Sequence, residues 1–284
     1  MLNISARNDY GFSINFKNNE KFDIVDITGL DPVNATINSS SIPSYSGSVF
    51  NSAYVGNRNI VISIAYNMYN NVARQELNNC FIPSIPIRLY IDDYYIDGYT
   101  ESVDYNPFNE KMIIQISIIC LYPYFSLKND ITIHISQTIS LFTFPFSIPS
   151  AGIPISEQID NHSATIYNYT NVPTGCIIKI FFNEEVYGLR ISNANNNQLL
   201  EIYQVFCQYD ELTIDTRFAH KSIILTSPEY QEYNVSILDK LVSADKWIEI
   251  EPNENKILIE AYVGTLSANG IDAYLTYSEK IGGL

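Results

Sequence analysis

Alternation is the most regular signal along the chain. Phe12-Ser-Ile-Asn-Phe16, Ile60-Val-Ile-Ser-Ile64, Ile87-Arg-Leu-Tyr-Ile91 and Ile114-Gln-Ile-Ser-Ile118 each place an apolar residue at every second position. A half-buried strand shows one face to a core and the other to water, so this pattern predicts strands. β-Branched and aromatic residues, which suit a pleated surface, dominate the runs. The stretch from Gly98 to Phe125 reads as two strands joined by a turn and closed by Tyr122-Pro-Tyr-Phe125. Tyr90-Ile-Asp-Asp-Tyr-Tyr-Ile-Asp-Gly-Tyr99 reads as a hairpin turning at Asp92-Asp93. One segment changes period. Between Tyr69 and Phe81, Val72, Leu77 and Phe81 recur near helical spacing, and Pro83 ends the run. This predicts a helix near 69–82, inserted among strands as in an α+β unit whose helix lies against one sheet.

Further on, Phe144-Pro-Phe-Ser-Ile-Pro-Ser-Ala-Gly-Ile-Pro154 is rich in proline and serine. Prolines remove ladder donors and fix the backbone, so this stretch reads as a joint rather than a central strand. The expected organisation is an N-terminal β-rich domain with one helix over 1–130, a joint over 131–160 and a β-sandwich over 161–284. Strands are expected at 163–170, 175–183, 186–192, 199–206, 212–216, 220–226, 234–238, 256–262 and 271–277. Val172-Pro-Thr-Gly175, Asn193-Ala-Asn-Asn-Asn197 and Glu251-Pro-Asn-Glu-Asn255 supply turn chemistry between them. Glu279-Lys-Ile-Gly-Gly-Leu284 is expected to be loose.

Composition narrows the function classes. The chain has 284 residues, is 46% hydrophobic and carries only 17% charged residues. A core is affordable, and the surface must rely on Asn, Ser, Thr and Tyr. Either packing against identical copies or an AT-rich coding sequence accounts for this. The formal charge of −15 comes without a Lys/Arg cluster. Specific nucleic-acid binding is therefore not expected, since phosphates need clustered cations. A wall that nucleic acid slides past remains compatible with like charge. No apolar run is long enough for a membrane helix and no signal-peptide pattern opens the chain. Neither membrane insertion nor secretion is expected, and the chain reads as soluble and cytoplasmic.

Reactive chemistry is sparse. Cys80, Cys120, Cys176 and Cys207 form no Cys-x-x-Cys motif, and reduced buried thiols or two long-range disulfides both fit. His134, His162 and His220 lack metal-ligand spacing, and no Gly-x-Ser-x-Gly marks a nucleophile elbow. Asp92-Asp93, Glu184-Glu185 and Asp210-Glu211 are adjacent pairs, which on a strand point to opposite faces. No enzyme activity, catalytic residue, cofactor or metal is expected. The 22 tyrosines are suggestive, because tyrosine buries a ring while keeping a wet hydroxyl. Tyr90, Tyr94, Tyr95 and Tyr99 are either an oligomer surface or simply a tyrosine-rich hairpin. The single tryptophan, Trp247, is read as packing, with contact to a glycan as the alternative.

Taken in order, several pieces resemble the distal tail (Dit) family of siphophage tail proteins. They are Phe22-Asp-Ile-Val-Asp-Ile-Thr-Gly-Leu30, the strand Arg58–Ile64 after a loop at Ser44–Gly47, Arg74 in the helix, and Ile87-Arg-Leu-Tyr-Ile-Asp92. Gly98-Tyr-Thr-Glu-Ser-Val103, Ile114–Cys120 and Pro123-Tyr-Phe125 follow. In the second half, Ile166–Gly175, Leu212–Thr216 with Lys221-Ser222, and Trp247 followed by Asn253-Glu-Asn255 are similar to the family's galectin-like domain. Two departures touch turns. The family's Gly-x-Asn appears here as Glu254-Asn255, lacking the glycine, and its Gly-x-x-Leu step before Ile214 is Asp210-Glu-Leu212. The resemblance implies a mainly β protein with a ring-forming N-terminal α+β domain and a C-terminal galectin-like β-sandwich. It also implies a homo-hexameric ring at a phage or phage-like tail tip. Such a ring joins the tail tube protein to the tail-associated hub protein and to host-adhesion proteins. The alternative is a glycan-binding module acting through the C-terminal sandwich.

Overall fold

The computed structural model describes residues 2–44, 46–66, 71–105, 113–140, 156–228, 234–243, 246–267 and 269–284. The described strands lie in antiparallel sheets, with one α-helix among the described residues. The chain divides into two units, Met1–Lys128 together with Lys280–Leu284, and Asn129–Glu279.

In the first unit the sheet order is Ser13–Asn15, Ile4–Asn8, Pro86–Ile91, Tyr94–Tyr105, Ile113–Cys120, Arg58–Tyr66, Phe22–Thr28. Alternation places Ile60, Ile62, Ile64, Leu89, Ile91, Ile96, Ile114, Ile116 and Ile118 in one core. The helix Asn71–Cys80 adds Ala73, Leu77 and Cys80 to that core, followed by Phe81. These positions recur at i, i+4 and i+7 or i+8, which makes one helical stripe. Val72 lies outside the stripe and is exposed, so the spacing read from Val72 is corrected to Ala73. Buried Asn8 donates from Nδ2 to the carbonyls of Asn79 (2.8 Å) and Cys80 (3.0 Å), satisfying acceptors that a helix end leaves open. Gly98 is where two strands approach closely. A Cβ there would sit 2.8 Å from the Ile119 carbonyl oxygen and 2.9 Å from Cys120 Sγ.

The short strand Lys280–Ile281 pairs with Phe125–Leu127, which itself pairs with the start of Tyr94–Tyr105. The segment expected to be loose is therefore part of the first unit, and Lys280 is buried.

In the second unit one sheet runs Ile131–His134, Ile271–Tyr277, Thr174–Phe182, Glu211–Asp215, Ser222–Thr226, Val235–Ser236. The other runs Ser136–Ser140, Ser156–Asn168, Asn253–Val263, Val186–Asn193, Gln198–Phe206, Leu241–Ser243. Residues from both sheets make up a second core, including Ile178, Ile180, Leu212, Ile214 and Leu275 from the first and Ile166, Leu189, Ile191, Leu200 and Ile257 from the other. Phe182 and Phe206 stack across the two sheets at 4.4 Å between ring centroids. This is sandwich construction. The stretch expected as a joint carries strands at both ends, while residues 141–155, including the proline cluster, lie outside the described residues.

Buried amides fix the turns of this unit. Asn255 accepts from the Glu251 amide and from Asn193 Nδ2, each at 2.9 Å, and donates to the carbonyls of Glu251 (2.7 Å) and Asn253 (3.1 Å). Asn168 similarly donates to Val172 and Ile250. Asn253 has φ 73°, in the left-handed region that asparagine tolerates best after glycine. The asparagine thus does the conformational work of the missing glycine.

Candidate assembly surface

One element has no cover among the described residues. Ala35–Ser41 and Ser48–Val55 form a two-stranded sheet of their own, and every residue of both strands is exposed. The register makes its two faces unequal. Ala35 opposes Val55, Ile37 opposes Ala53 and, past a bulge, Ser39 opposes Phe50. Alternation puts these on one largely apolar face, where Ile37 is 66% and Phe50 64% exposed. The other face carries Thr36, Asn38, Ser40 and Ser52 with Tyr54 and Val49. There Asn38 Nδ2 donates to Ser52 Oγ (3.0 Å) and Ser40 Oγ to Asn51 Oδ1 (3.2 Å). A lone two-stranded hairpin is marginal in water, and large exposed apolar side chains on one face mark a contact surface.

Sequence reading treated Ser44–Gly47 only as a loop and missed this hairpin. The available signal was Thr36-Ile-Asn38 and Val49-Phe50 on either side of a turn at Gly47, whose φ is +100°. Serine and asparagine between them blurred the alternation.

The tyrosines proposed from the sequence separate by face. Tyr90, Tyr95 and Tyr99 alternate with core residues and lie on the outer side of the first sheet. Tyr90 and Tyr95 are register partners with ring centroids 6.3 Å apart. Arg88 lies 4.2 Å over the Tyr95 ring and holds Asp97 through Nε at 2.6 Å and Nη2 at 2.9 Å, while Lys128 Nζ is 5.5 Å from the Tyr90 ring. Tyr94 shares the parity of Ile96 and packs against the core. Trp247 is half-buried against the second core, with Lys221 Nζ 5.5 Å from its ring.

Groups with reactive chemistry are tied into structure. Burial pushes the thiols of Cys80, Cys120 and Cys176 up to about 12. No disulfide joins the cysteines. His134 pairs with Asp272 and stacks on Tyr274, with ring centroids 4.7 Å apart. His162 Nε2 is 2.9 Å from the Ser267 carbonyl. Among the described residues no group of three or more His, Cys, Asp and Glu is placed to hold a metal ion, and no helix is long and apolar enough to cross a membrane.

Two antiparallel β units, the first with a single described helix and an uncovered arm, define the class: a multi-sheet, mainly β protein. No protein-family model and no curated protein matches the sequence. Its fold is that of the Dit protein of phage SPP1, with a TM-score of 0.67 and 10% identity over 98% of both chains. That protein is described as a paradigm of the hub adsorption apparatus in phages infecting Gram-positive bacteria. A chain of the phage P2 baseplate in its activated conformation has the same fold, with TM-scores of 0.54 with Ca and 0.52 with Sr, at 10% identity over 100% of both chains. The fold expected from the sequence, mainly β and Dit-like, is the fold observed.

Proposed function

We propose that this chain is a structural adaptor of a phage or phage-like tail. In this reading it self-associates as a homo-hexameric ring at the virion tail tip, between the tail tube protein and the tail-associated hub protein with its host-adhesion proteins. The first unit builds the ring, and the second is galectin-like in this reading. The role is contact rather than catalysis. Tyr90, Tyr95 and Tyr99 provide a second contact region on the first unit.

The observation that carries the reading is the hairpin Ala35–Val55, an arm whose apolar face finds no cover within the described chain. Burying a Phe or Ile side chain contributes about 1.5–3 kcal/mol, so covering Phe50 and Ile37 on another copy offsets much of the cost of ordering the arm. The likeness to the SPP1 and P2 structures supports the same reading through fold. Native mass spectrometry of the purified chain is expected to give six copies, and Ile37→Asp to reduce it to single copies with an unchanged circular-dichroism spectrum. A wild-type chain that stays single at all concentrations, with and without a hub protein, would remove the proposal.

A further inference from the structure

The root of the exposed arm is where residues 280–284 end. The arm is entered through Gly29–Pro32 and left through Gly56–Arg58. Arg58 is 1% exposed, an unusual burial for a guanidinium. Its Nε donates to the Pro123 carbonyl at 2.7 Å and its Nη1 to the carbonyls of Asp31 (2.8 Å) and Gly29. Its Nη2 donates to the carbonyl of Gly282, and the group lies 4.6 Å over the Phe125 ring. A planar fork with several donors is suited to collecting carbonyls from separate segments, whereas an ammonium is a point charge.

Residues 280–284 touch the same root independently of Arg58. The Leu284 amide donates to the Leu30 carbonyl at 3.0 Å. Gly283 lies so close to the entry segment that a Cβ would meet both Cδ and N of Pro32 at 2.6 Å. Gly29, at φ +86°, has its Cβ position 2.0 Å from the Asn59 carbonyl oxygen, so entry and exit segments are pressed together. At the other end Lys280 pairs with Ser126 and sets its Nζ 4.3 Å over the Tyr122 ring.

Closing the sheet requires only the pairing of Lys280–Ile281 with Phe125–Ser126. Contacts of Gly282, Gly283 and Leu284 go beyond that, and fall on the arm's entry segment and on the arginine at its exit. We infer that Lys280–Leu284, locked by Arg58, is a strap that sets the direction in which the hairpin Ala35–Val55 leaves the first unit and so preorganises it for a partner copy. The inference rests on the reading that the arm contacts another copy of this chain. A two-stranded arm swings as one body about its root, so a fixed root removes most of the ordering cost of docking.

The test compares the full-length wild type with Gly283→Val and Arg58→Lys. Gly283 is only half-buried, so the added side chain pushes the segment off Pro32 without opening the core. Hydrogen exchange is followed in peptides covering 29–34 and 55–59, alongside self-association by light scattering. Both variants are expected to exchange roughly tenfold faster at these peptides while core peptides hold their protection. Both are expected to self-associate roughly tenfold more weakly. Unchanged exchange at the root would overturn the strap. So would faster exchange with undiminished association, since the contacts would then position nothing. A wild-type chain that never associates would overturn the assembly reading beneath it, and with it the strap's purpose. Root exchange alone would then decide whether the clasp exists.

Discussion

Two hairpins of the first unit, Pro86–Tyr105 and Ala35–Val55, have opposite fates. In Pro86–Tyr105 one face gives Ile87, Leu89, Ile91 and Ile96 to the core, and the other is closed by Arg88, Asp97 and the tilted pair Tyr90 and Tyr95. In Ala35–Val55 no described residue is buried and the strands pair only with each other. Both obey the same period of alternation, so the motif alone does not decide which becomes core. The difference teaches that what surrounds a strand pair, and not its alternation, decides whether its apolar face is buried in the core or left exposed.

Matched substitutions on the two hairpins make the contrast measurable. Leu89→Asp puts an unpaired charge among fully buried side chains and is expected to cost about 4 kcal/mol or more, read as loss of the first unit's denaturant transition. Phe50→Asp is expected to leave that transition within about 0.5 kcal/mol while abolishing assembly. Equal destabilisation by the two would erase the distinction. A smaller effect lies in the second unit, where Asn255→Ala removes hydrogen bonds to Glu251, Asn253 and the buried Asn193. A loss of about 2–3 kcal/mol is expected in that unit's transition alone. The smallest is Arg88→Ala on the closed hairpin's outer face, whose pair with Asp97 is exposed and worth below about 1 kcal/mol. If Arg88→Ala weakens assembly strongly, the tyrosine face is a ring contact and the two hairpins differ less than their burial suggests.

Much of this was legible in the chain. Strands expected at 186–192, 199–206 and 271–277 are observed at Val186–Asn193, Gln198–Phe206 and Ile271–Tyr277. There a continuous core imposes strict alternation, and side-chain period is what sequence displays best. The helix near 69–82 is observed as Asn71–Cys80, with its buried stripe displaced from Val72 to Ala73. The arm was illegible because no core of its own chain disciplines its residues. Its polar face of serine and asparagine looks like loop composition. Gly282-Gly283 looked like a frayed end for a related reason. Glycine advertises freedom in a sequence, yet at Gly283 it serves a close approach that only coordinates reveal. Asn253 resolves the apparent gap in the turn motif, since asparagine and glycine share the same backbone region.

The sulfur chemistry has a consequence for how the molecule ages. With burial pushing their thiols up to about 12, Cys80, Cys120 and Cys176 stay protonated at neutral pH and are buried from solvent. Cys207 is the partly exposed member of the set. Weeks in aerated buffer should therefore leave peptide-mapping signatures of sulfenic or sulfinic acid at that single sulfur, while the three buried thiols stay intact and both cores outlast the loss of reductant.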